Sequence, residues 1–367
     1  MDINLPENWQ YFNFEKCINR VSVSSSLKIA KRDYQDKGEI PIIDQGKEFI
    51  AGYCSEKREV FDNIPVIIFG DHTCIFKYVD FPFLLGADGT KIISPKTELL
   101  VPKYFYYYLR SLKLENQGYS RHYKFLKEKY IIIPPINIQE KIIEKLENVE
   151  KLINYRNESL NLSILFLENL FVEYFGDLRL NEKGWECSEL KDVSTIIMGQ
   201  SPPGDSYNEE GIGKEFFQGK AEFGDVYPTV KKWTTEPKRI AKCGDILFSV
   251  RAPVGSVNIA NIECSIGRGL AAIEPGDRLN NLYLFYYFKI MEKIIESRGT
   301  GSTFQSINKS QLSSLEVPMP PIELQNQFAE IVQQVEEIKK YQQESKAELE
   351  NLLNNLMQKT FKGELIC

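Results

Sequence analysis

Apolar residues recur at alternating steps of four and three along the middle of the chain. The positions are 142, 146, 149, 153, 156, 160, 163, 167, 170 and 174, and all except Arg156 and Ser163 are hydrophobic. This spacing puts the side chains on one face of a helix and is typical of a coiled-coil seam. The Pro-Pro pair at 134–135 cannot lie inside a helix, and Gly176 favours a helix end. The pattern therefore predicts a helix of roughly 37 residues, about 55 Å long.

This helical segment occurs twice. The heptapeptide IPPINIQ at 133–139 recurs as MPPIELQ at 319–325, and the same offset of 186 relates Tyr155 to Tyr341 and Phe175 to Phe361. The second copy carries the following apolar residues along one face, with Gln342 and Gln343 in the middle: Phe328, Val332, Val335, Ile338, Leu349, Leu353 and Leu356. Two helices longer than a compact core requires are interpreted as spacers, related by an internal duplication.

The segments before the two helices share a weaker plan. Asn8-Trp9 corresponds to Gly184-Trp185, and the aromatic run YFYYYL at 104–109 corresponds to YLFYYF at 283–288. Between these marks lie short β-rich stretches separated by Gly, Asp and Pro, among them IPVIIF at 64–69 and DILFSV at 245–250. Each half is therefore predicted to be a mixed α/β domain followed by a long helix. The predicted segments are 1–135, 136–176, 177–319 and 320–367.

The charge balance limits the possible functions. The formal net charge is −6, from 45 Lys and Arg against 51 Asp and Glu, which disfavours a protein that binds nucleic acid unaided. Basic residues nevertheless cluster in three places: Lys28, Lys31 and Arg32; Arg121, His122, Lys124, Lys127 and Lys129; Lys231, Lys232, Lys238, Arg239 and Lys242. A protein whose partner completes a DNA-binding groove can carry this balance.

The sequence offers no pattern for catalysis. Seven scattered cysteines without a Cys-x-x-Cys pair, and only two histidines, predict neither a zinc site nor a disulfide framework. Glycine pairs such as Gly267-Arg268-Gly269 are too short for a dinucleotide fingerprint, and no Walker lysine follows a glycine loop. We therefore expect no enzyme activity, no metal and no cofactor. The absence of a long apolar run or an N-terminal signal pattern predicts a cytoplasmic protein.

The alternation of variable domain and repeated Pro-Pro-led helix resembles the specificity subunits of type I restriction-modification systems. Two stretches of the second half, GDILFSVRAPVG at 244–255 and CSIGRGLAAI at 264–273, look like common motifs of their target-recognition domains, and FGDHT at 69–73 with GADG at 86–89 resembles another subset. The resemblance covers the whole chain. It implies an α+β fold in which two target-recognition domains are separated by the two helices, packed as an antiparallel coiled coil with pseudo-two-fold symmetry.

The resemblance also implies a function and partners. Each recognition domain is expected to read one half of a bipartite site on double-stranded DNA, and the helices to set the spacing between the halves. The helices are also expected to dock two adenine-N6 methyltransferase subunits, which a restriction and translocase subunit would join. The methyl-transfer chemistry would then lie on the partner.

Base reading requires polar or basic side chains on loops or helix ends. The candidates in the first half are Gln45, Lys47, His72, Thr73, Ser120, Arg121, His122 and Lys124. Those in the second half are Gln200, Ser201, Lys220, Lys231, Lys232, Thr300, Ser302, Thr303 and Gln305. Any single candidate could equally be a solvated loop residue or a phosphate contact. For Arg251 and Arg268, whose motifs recur among relatives that read different sequences, scaffold or DNA-backbone roles are favoured, and His72 is favoured as a structural histidine.

Two other classes of protein stay open at this point. A free-standing DNA- or RNA-binding regulator would have to bind tightly by itself, which the net charge of −6 disfavours. A coiled-coil adaptor whose globular domains bind proteins would leave the basic stretches unexplained.

Overall fold

A computed structural model describes residues 6–86, 89–112, 114, 121–297 and 306–364, with the backbone alone for 293–297. Contacts divide the chain into two compact units. The first unit consists of the residues up to Asn157 together with those from Glu344 onward, and the second unit is Glu158–Gln343. Both divisions fall inside long helices, so the compact units group the chain differently from the four linear segments predicted above.

The elements up to the end of the first long helix are β1 (Gln10–Asn13), β2 (Ile18–Asn19), β3 (Lys28–Ile29), β4 (Ile40–Ile43), β5 (Gly52–Cys54), β6 (Val66–Gly70), β7 (Phe76–Val79), β8 (Leu84–Gly86), β9 (Thr90–Pro95), α1 (Pro102–Ser111), α2 (Tyr123–Lys127), β10 (Tyr130–Ile133) and α3 (Ile136–Phe175). Short 3₁₀ turns lie at Phe14–Cys17, Ser25–Leu27 and Lys31–Asp33.

The later elements are β11 (Cys187–Glu189), α4 (Leu190–Val193), β12 (Ser194–Met198), β13 (Tyr207–Asn208), β14 (Lys214–Phe217), β15 (Trp233–Thr234), β16 (Ile240–Ala241), β17 (Ile246–Ser249), β18 (Val257–Ile259), β19 (Cys264–Ile266), β20 (Leu270–Pro275), α5 (Asn281–Ser297), α6 (Lys309–Ser313), β21 (Glu316–Pro318) and α7 (Ile322–Phe361). Here 3₁₀ turns lie at Gly204–Ser206 and Lys220–Glu222.

The two units repeat one sheet arrangement. The strand order β2-β9-β6-β7 of the first unit corresponds to β12-β20-β17-β18 of the second, and all pairs in both sheets are antiparallel. A second sheet has the order β3-β8-β4-β5 in the first unit and β13-β15-β14-β19-β16 in the second. The second sheets of the two units differ at both edges: β13 adds a fifth strand beside β15, and β3 lies parallel to β8 whereas β16 lies antiparallel to β19.

Alternation along the central strands builds two layers of core in each unit. In β6, Ile67 and Phe69 join the core that contains α1, whereas Val66 and Ile68 face the second sheet with Ile43 and Leu85. In β17, Ile246 and Phe248 join the core that contains α5, and Leu247 faces the second sheet. This period of two is the reason that continuous apolar runs form strands buried on both sides.

The two long helices are single helices of 40 residues each, and they pair antiparallel inside both units. In the first unit, Ile142 and Leu146 near the start of α3 share a core with Leu353 and Met357 near the end of α7. In the second unit, Phe171 near the end of α3 shares a core with Phe328 near the start of α7. The predicted helix starts after the Pro-Pro pairs are confirmed, as is the end of α3 before Gly176. The second helix likewise ends shortly before a glycine, Gly363, and the φ angles of Gly176 and Gly363 are +77° and +76°.

The predicted seams hold only in part. Phe171 and Phe175 are buried where the pattern placed Leu170 and Tyr174, and no residue of α3 between 150 and 166 is fully buried. In α7 the prediction for Ile338 is wrong, because Ile338 is exposed and the neighbouring Lys339 is buried with its Nζ 2.8 Å from Glu336 Oε1. An ion pair one helical turn away satisfies the buried ammonium, so a charged residue can take the inward position.

The end of each long helix closes a core through aromatic contacts. The ring of Phe361, at the end of α7, lies 5.4 Å from Tyr104 and 5.1 Å from Tyr108 in the first unit. The ring of Phe175, at the end of α3, lies 4.8 Å from Tyr283 in the second unit. The buried tyrosine hydroxyls also form hydrogen bonds. Tyr104 donates to the Ile132 carbonyl at 2.8 Å, and Tyr283 donates to the Pro318 carbonyl at 2.7 Å.

A buried glutamine at the start of each long helix repeats the same three hydrogen bonds. Gln139 accepts from the Val101 amide at 2.8 Å and donates to the carbonyls of Leu99 and Pro134. Gln325 accepts from the Asn280 amide at 2.8 Å and donates to the carbonyls of Arg278 and Pro320. The duplication therefore extends from sequence to side-chain geometry. Within the described residues, the structure contains no helix that is both long and apolar enough to span a bilayer.

Because Phe361 and Phe175 are buried in different units, we expect Phe361→Ala to destabilise the first unit and Phe175→Ala the second. Each change should cost about 3–5 kcal/mol of unfolding free energy in its own unit, from lost burial and the cavity left behind. Hydrogen exchange of the β6 and β17 amides in increasing denaturant measures the two effects separately. Tyr155→Ala, at an exposed position on α3, is the control. Equal destabilisation of β6 and β17 by either variant would contradict the assignment.

Candidate nucleic-acid interface

The predicted candidates of the first unit meet where three loops join. The loop after β6 begins at Asp71, whose amide donates to the carbonyl of Gly89 at 2.7 Å. The carbonyl of Asp71 in turn accepts from the amide of His122 at 3.0 Å. These two hydrogen bonds, which we call the backbone frame, hold Asp71 between two other segments of the chain. The side chains that follow Asp71 project from this frame.

The second unit repeats this frame with different side chains. The amide of Val250 donates to the carbonyl of Gly269 at 2.9 Å, and its carbonyl accepts from the amide of Ile307 at 2.9 Å. Val250 thus corresponds to Asp71, and the next residues along the chain, Arg251 and His72, correspond to each other.

Three predicted residues of the first unit are brought together. The side-chain oxygen of Gln45 accepts from the His72 amide at 3.2 Å, and the Gln45 carbonyl accepts from the Thr73 hydroxyl at 2.6 Å. Lys47 lies two residues after Gln45 in the same loop and is exposed. These bonds join the loop after β4 to the loop after β6, so the polar side chains form one surface.

A buried lysine beneath this surface holds the loop after β4. Lys77, on β7, is 4% exposed and its ammonium donates to the carbonyls of Asp44 and Glu48, with the Asp44 carboxylate 3.7 Å away. Burial lowers the pKa of Lys77, and the nearby Asp44 carboxylate opposes that shift. Since Gln45 and Lys47 lie between the two carbonyls, Lys77 sets the loop conformation.

The basic stretch before α2 divides into inward and outward residues. His122 is 0% exposed, and its Nδ1 lies 2.8 Å from the Asp71 carbonyl. Arg121 and Lys124 are exposed, and the ammonium of Lys124 lies 4.8 Å from the centre of the Phe125 ring. A buried imidazole cannot enter a groove, so we omit His122 from the proposed contacts and retain Arg121 and Lys124. Ser120 lies outside the described residues.

The second-unit candidates gather around the equivalent loops. Gln200 is exposed after β12, and the Ser201 hydroxyl accepts from the Arg268 amide at 3.3 Å. Lys220 is exposed beside a cleft of about 190 Å³, and Lys231 donates to the carbonyl of Ala221 at 3.1 Å. Lys232 is half-buried. Thr300, Ser302, Thr303 and Gln305 lie outside the described residues.

The cleft also brings in two residues that were not candidates for base reading. Arg251 and Arg268 are exposed and line it together with Lys220. The sequence signal was present, because both arginines lie directly beside glycine- and proline-marked turns, but their convergence depends on loops that are far apart in the chain.

The repeated frame and the repeated sheet order define a protein with two copies of one α+β module. The family model for the type I restriction modification DNA specificity domain matches the chain twice, over residues 6–162 and 182–351. The chain therefore belongs to the family of type I restriction-modification specificity subunits.

Individual relatives agree with this assignment. The chain is 34% identical over 308 residues to a putative type I restriction enzyme MjaX specificity subunit of Methanocaldococcus jannaschii, covering 77% of this chain and 72% of that protein. It is 23% identical over 341 residues to the type I restriction enzyme EcoR124I/EcoR124II specificity subunit of Escherichia coli, covering 86% and 84% of the two chains.

Solved structures are similar along the whole chain. One, described as the structural basis of complex assembly and conformational transition of the type I R-M system, covers 99% of this chain and 100% of its own, with 28% identity and a TM-score of 0.61. A type I restriction-modification S subunit from M. genitalium has a TM-score of 0.60 at 15% identity over 98% of this chain and 97% of its own, which supports the fold alone. The predicted α+β fold with paired long helices is confirmed.

Replacing Lys77 by methionine should loosen the loop that carries Gln45 and Lys47. The change leaves the Asp44 carboxylate and two carbonyls without their buried donor, so we expect a loss of about 1–3 kcal/mol of unfolding free energy. Faster hydrogen exchange at the amides of 45–48 would register the effect. Lys57→Met, which removes the same charge from an exposed position of the first unit, is the control, and equal exchange in the two variants would count against a role for Lys77.

Proposed function

We propose that each unit reads one half of a bipartite, asymmetric site on double-stranded DNA, and that the paired long helices fix the spacing between the halves. One observation carries the proposal. The same backbone frame occurs in both units, anchored at Asp71 and at Val250, but the loops around it carry Gln45, His72 and Thr73 in one and Gln200 and Ser201 in the other. One frame with two sets of side chains suits two different half-sites.

The long helices support the spacing role. Each is continuous over 40 residues, with its start buried in one unit and its end buried in the other. Because an α-helix rises about 1.5 Å per residue and resists bending, a helix anchored at both ends acts as a spacer of fixed length. Two half-sites read from one face of B-DNA lie about one helical turn apart, which requires such a spacer.

The helices also present two equivalent apolar patches that we assign to partner docking. On α3, Leu152 and Tyr155 are 49% and 63% exposed, and at the positions 186 residues later Ile338 and Tyr341 on α7 are 52% and 63% exposed. Exposed aromatic and aliphatic side chains of this size mark interaction sites. Repetition of the patch implies two copies of one partner, which we identify as the adenine-N6 methyltransferase subunit.

The specificity subunit itself is non-catalytic in this proposal. It acts in the cytoplasm, needs no cofactor of its own, and directs methyl transfer by the docked subunits, with restriction and translocase subunits joining the complex. The net charge of −6 favours this shared arrangement over a free-standing DNA-binding regulator, since phosphate binding by the isolated chain would be weak.

Exchange of one recognition domain tests the two-reader proposal. Residues 1–135 are replaced by the corresponding segment of another family member, the hybrid is co-expressed with its methyltransferase subunit in a methylation-free host, and N6-methyladenine is mapped across the genome. We expect one half of the split motif to change and the other to stay the same. Alteration of both halves would contradict separate reading, and an absence of methylation from a soluble wild-type complex would favour the adaptor alternative.

Charge placed in the docking patches should remove the partner one copy at a time. Tyr155→Glu or Tyr341→Glu should leave one methyltransferase subunit bound, and the double variant none, because an interface anchor commonly contributes about 2 kcal/mol or more. Native mass spectrometry of the co-expressed complex counts the copies. Ile212→Glu, at an exposed apolar position on a loop, is the control. Two copies retained by the double variant would exclude this docking surface.

A further inference from the structure

The cleft of the second unit has the features of an anion site. Arg251 follows β17, Arg268 precedes β20, and Lys220 lies in the loop after β14, so three separate segments bring positive charge to one place. Among the described residues, neither guanidinium takes part in an ion pair. The ammonium of Lys220 is paired with Glu292 at 3.2 Å. The two arginines therefore carry the uncompensated charge.

The backbone around the two arginines is fixed. The hydroxyl of Ser249 donates to the Arg251 carbonyl at 2.9 Å. The backbone of Arg251 also forms an isolated antiparallel β-bridge with the backbone of Ser306. The Arg268 amide donates to the Ser201 hydroxyl at 3.3 Å. The residue after Arg268 must be glycine, because a Cβ added at Gly269 would lie 2.3 Å from the Gln218 carbonyl oxygen. This close approach presses the Arg268 turn against the loop that carries Lys220, so the cations converge before any ligand binds.

The size and shape of the cleft select the ligand. Its volume of about 190 Å³ is below the roughly 300–1,000 Å³ typical of small-molecule pockets, so it suits a single group rather than a nucleotide or cofactor. Reading a base edge requires a side chain that projects into a groove, whereas a phosphate projects outward from the duplex and can enter a cleft. Arginine guanidinium groups match the geometry of phosphate oxygens.

We propose that Arg251 and Arg268 together bind one phosphate of the DNA backbone and so fix the position of the second unit on the duplex. This inference rests on the proposed DNA-reading function of that unit. The equivalent place in the first unit is occupied by the mutually bonded Gln45, His72 and Thr73, so this anchor belongs to the second half-site alone.

Binding of DNA by the complete complex with its methyltransferase subunits tests the proposal. The probes are a duplex that contains the motif found by methylation mapping and a scrambled duplex of equal length and composition. Arg251→Gln and Arg268→Gln should weaken binding to both probes and leave the methylated motif unchanged. Because both arginines neutralise the same phosphate, the double variant should reduce the slope of log affinity against log salt by about 0.9, and each single variant by no more than that. A rise from 0.05 to 0.2 M salt would then weaken the double variant roughly 3.5-fold less than the wild type.

Matched variants separate the anchor from a general charge effect. Arg278→Gln removes the same charge from an exposed position beyond the opposite end of β20 and should leave the salt slope unchanged. Arg251→Lys keeps the charge and should keep most of the slope. Loss of slope in Arg278→Gln equal to that in Arg251→Gln would overturn the proposal.

Neutral methylphosphonate groups placed one at a time along the motif duplex locate the contact. One position should weaken wild-type binding and have little further effect on the double variant that lacks both arginines. A change of the second half of the motif in either variant would show base reading instead, and unchanged affinity would show that the cleft does not contact DNA. Either result overturns the phosphate anchor. The two-reader function is judged separately, because it stands as long as the wild-type complex methylates a split motif.

Discussion

The antiparallel pairing of the two long helices is the interaction on which the rest of the structure depends. Each helix starts with a glutamine that ties it to one core, Gln139 or Gln325, and ends with a phenylalanine that closes the other, Phe175 or Phe361. Neither core would be complete with its own segment of helix alone. The loops of the candidate interface lie on sheets that pack against these cores, so the geometry of those loops depends on the same pairing.

Much of this arrangement could be predicted from the sequence because the repeat is long and its helix boundaries are marked by residues with strong backbone preferences. A Pro-Pro pair begins each helix, and a glycine with positive φ follows each end, at Gly176 and Gly363. The inward positions could not all be predicted. The seam positions were predicted from the spacing expected when two helices pack only against each other. In the structure, aromatic residues of α1 and α5 also pack against the ends of the long helices and change which residues face inward. Glu336 makes it possible to bury Lys339, and Ile338 is exposed as a result.

The candidate site shows a similar division. Residue type and loop position were sufficient to select Gln45, His72 and Thr73 one by one. Their grouping depends on hydrogen bonds from His72 and Thr73 to Gln45, which lies 27 and 28 residues away from them in the sequence. His122 carried the same signal and is buried, because its ring binds the Asp71 carbonyl. Arg251 is brought to Arg268 by the hydrogen bond from the Val250 amide to the Gly269 carbonyl, and Arg268 is brought to Lys220 by the fit of Gly269 against Gln218. No local sequence pattern encodes either contact.

The central claim is that two readers are held at a distance set by the helices, and lengthening the helices tests it most directly. One heptad is inserted into both α3 and α7 at facing positions, which adds about 10 Å and nearly preserves the helix face. N6-methyladenine mapping of the resulting complex should give the same two half-sites separated by a longer gap, on the order of three base pairs more. An unchanged gap, with both half-sites still methylated, would contradict the claim that the helices set the spacing.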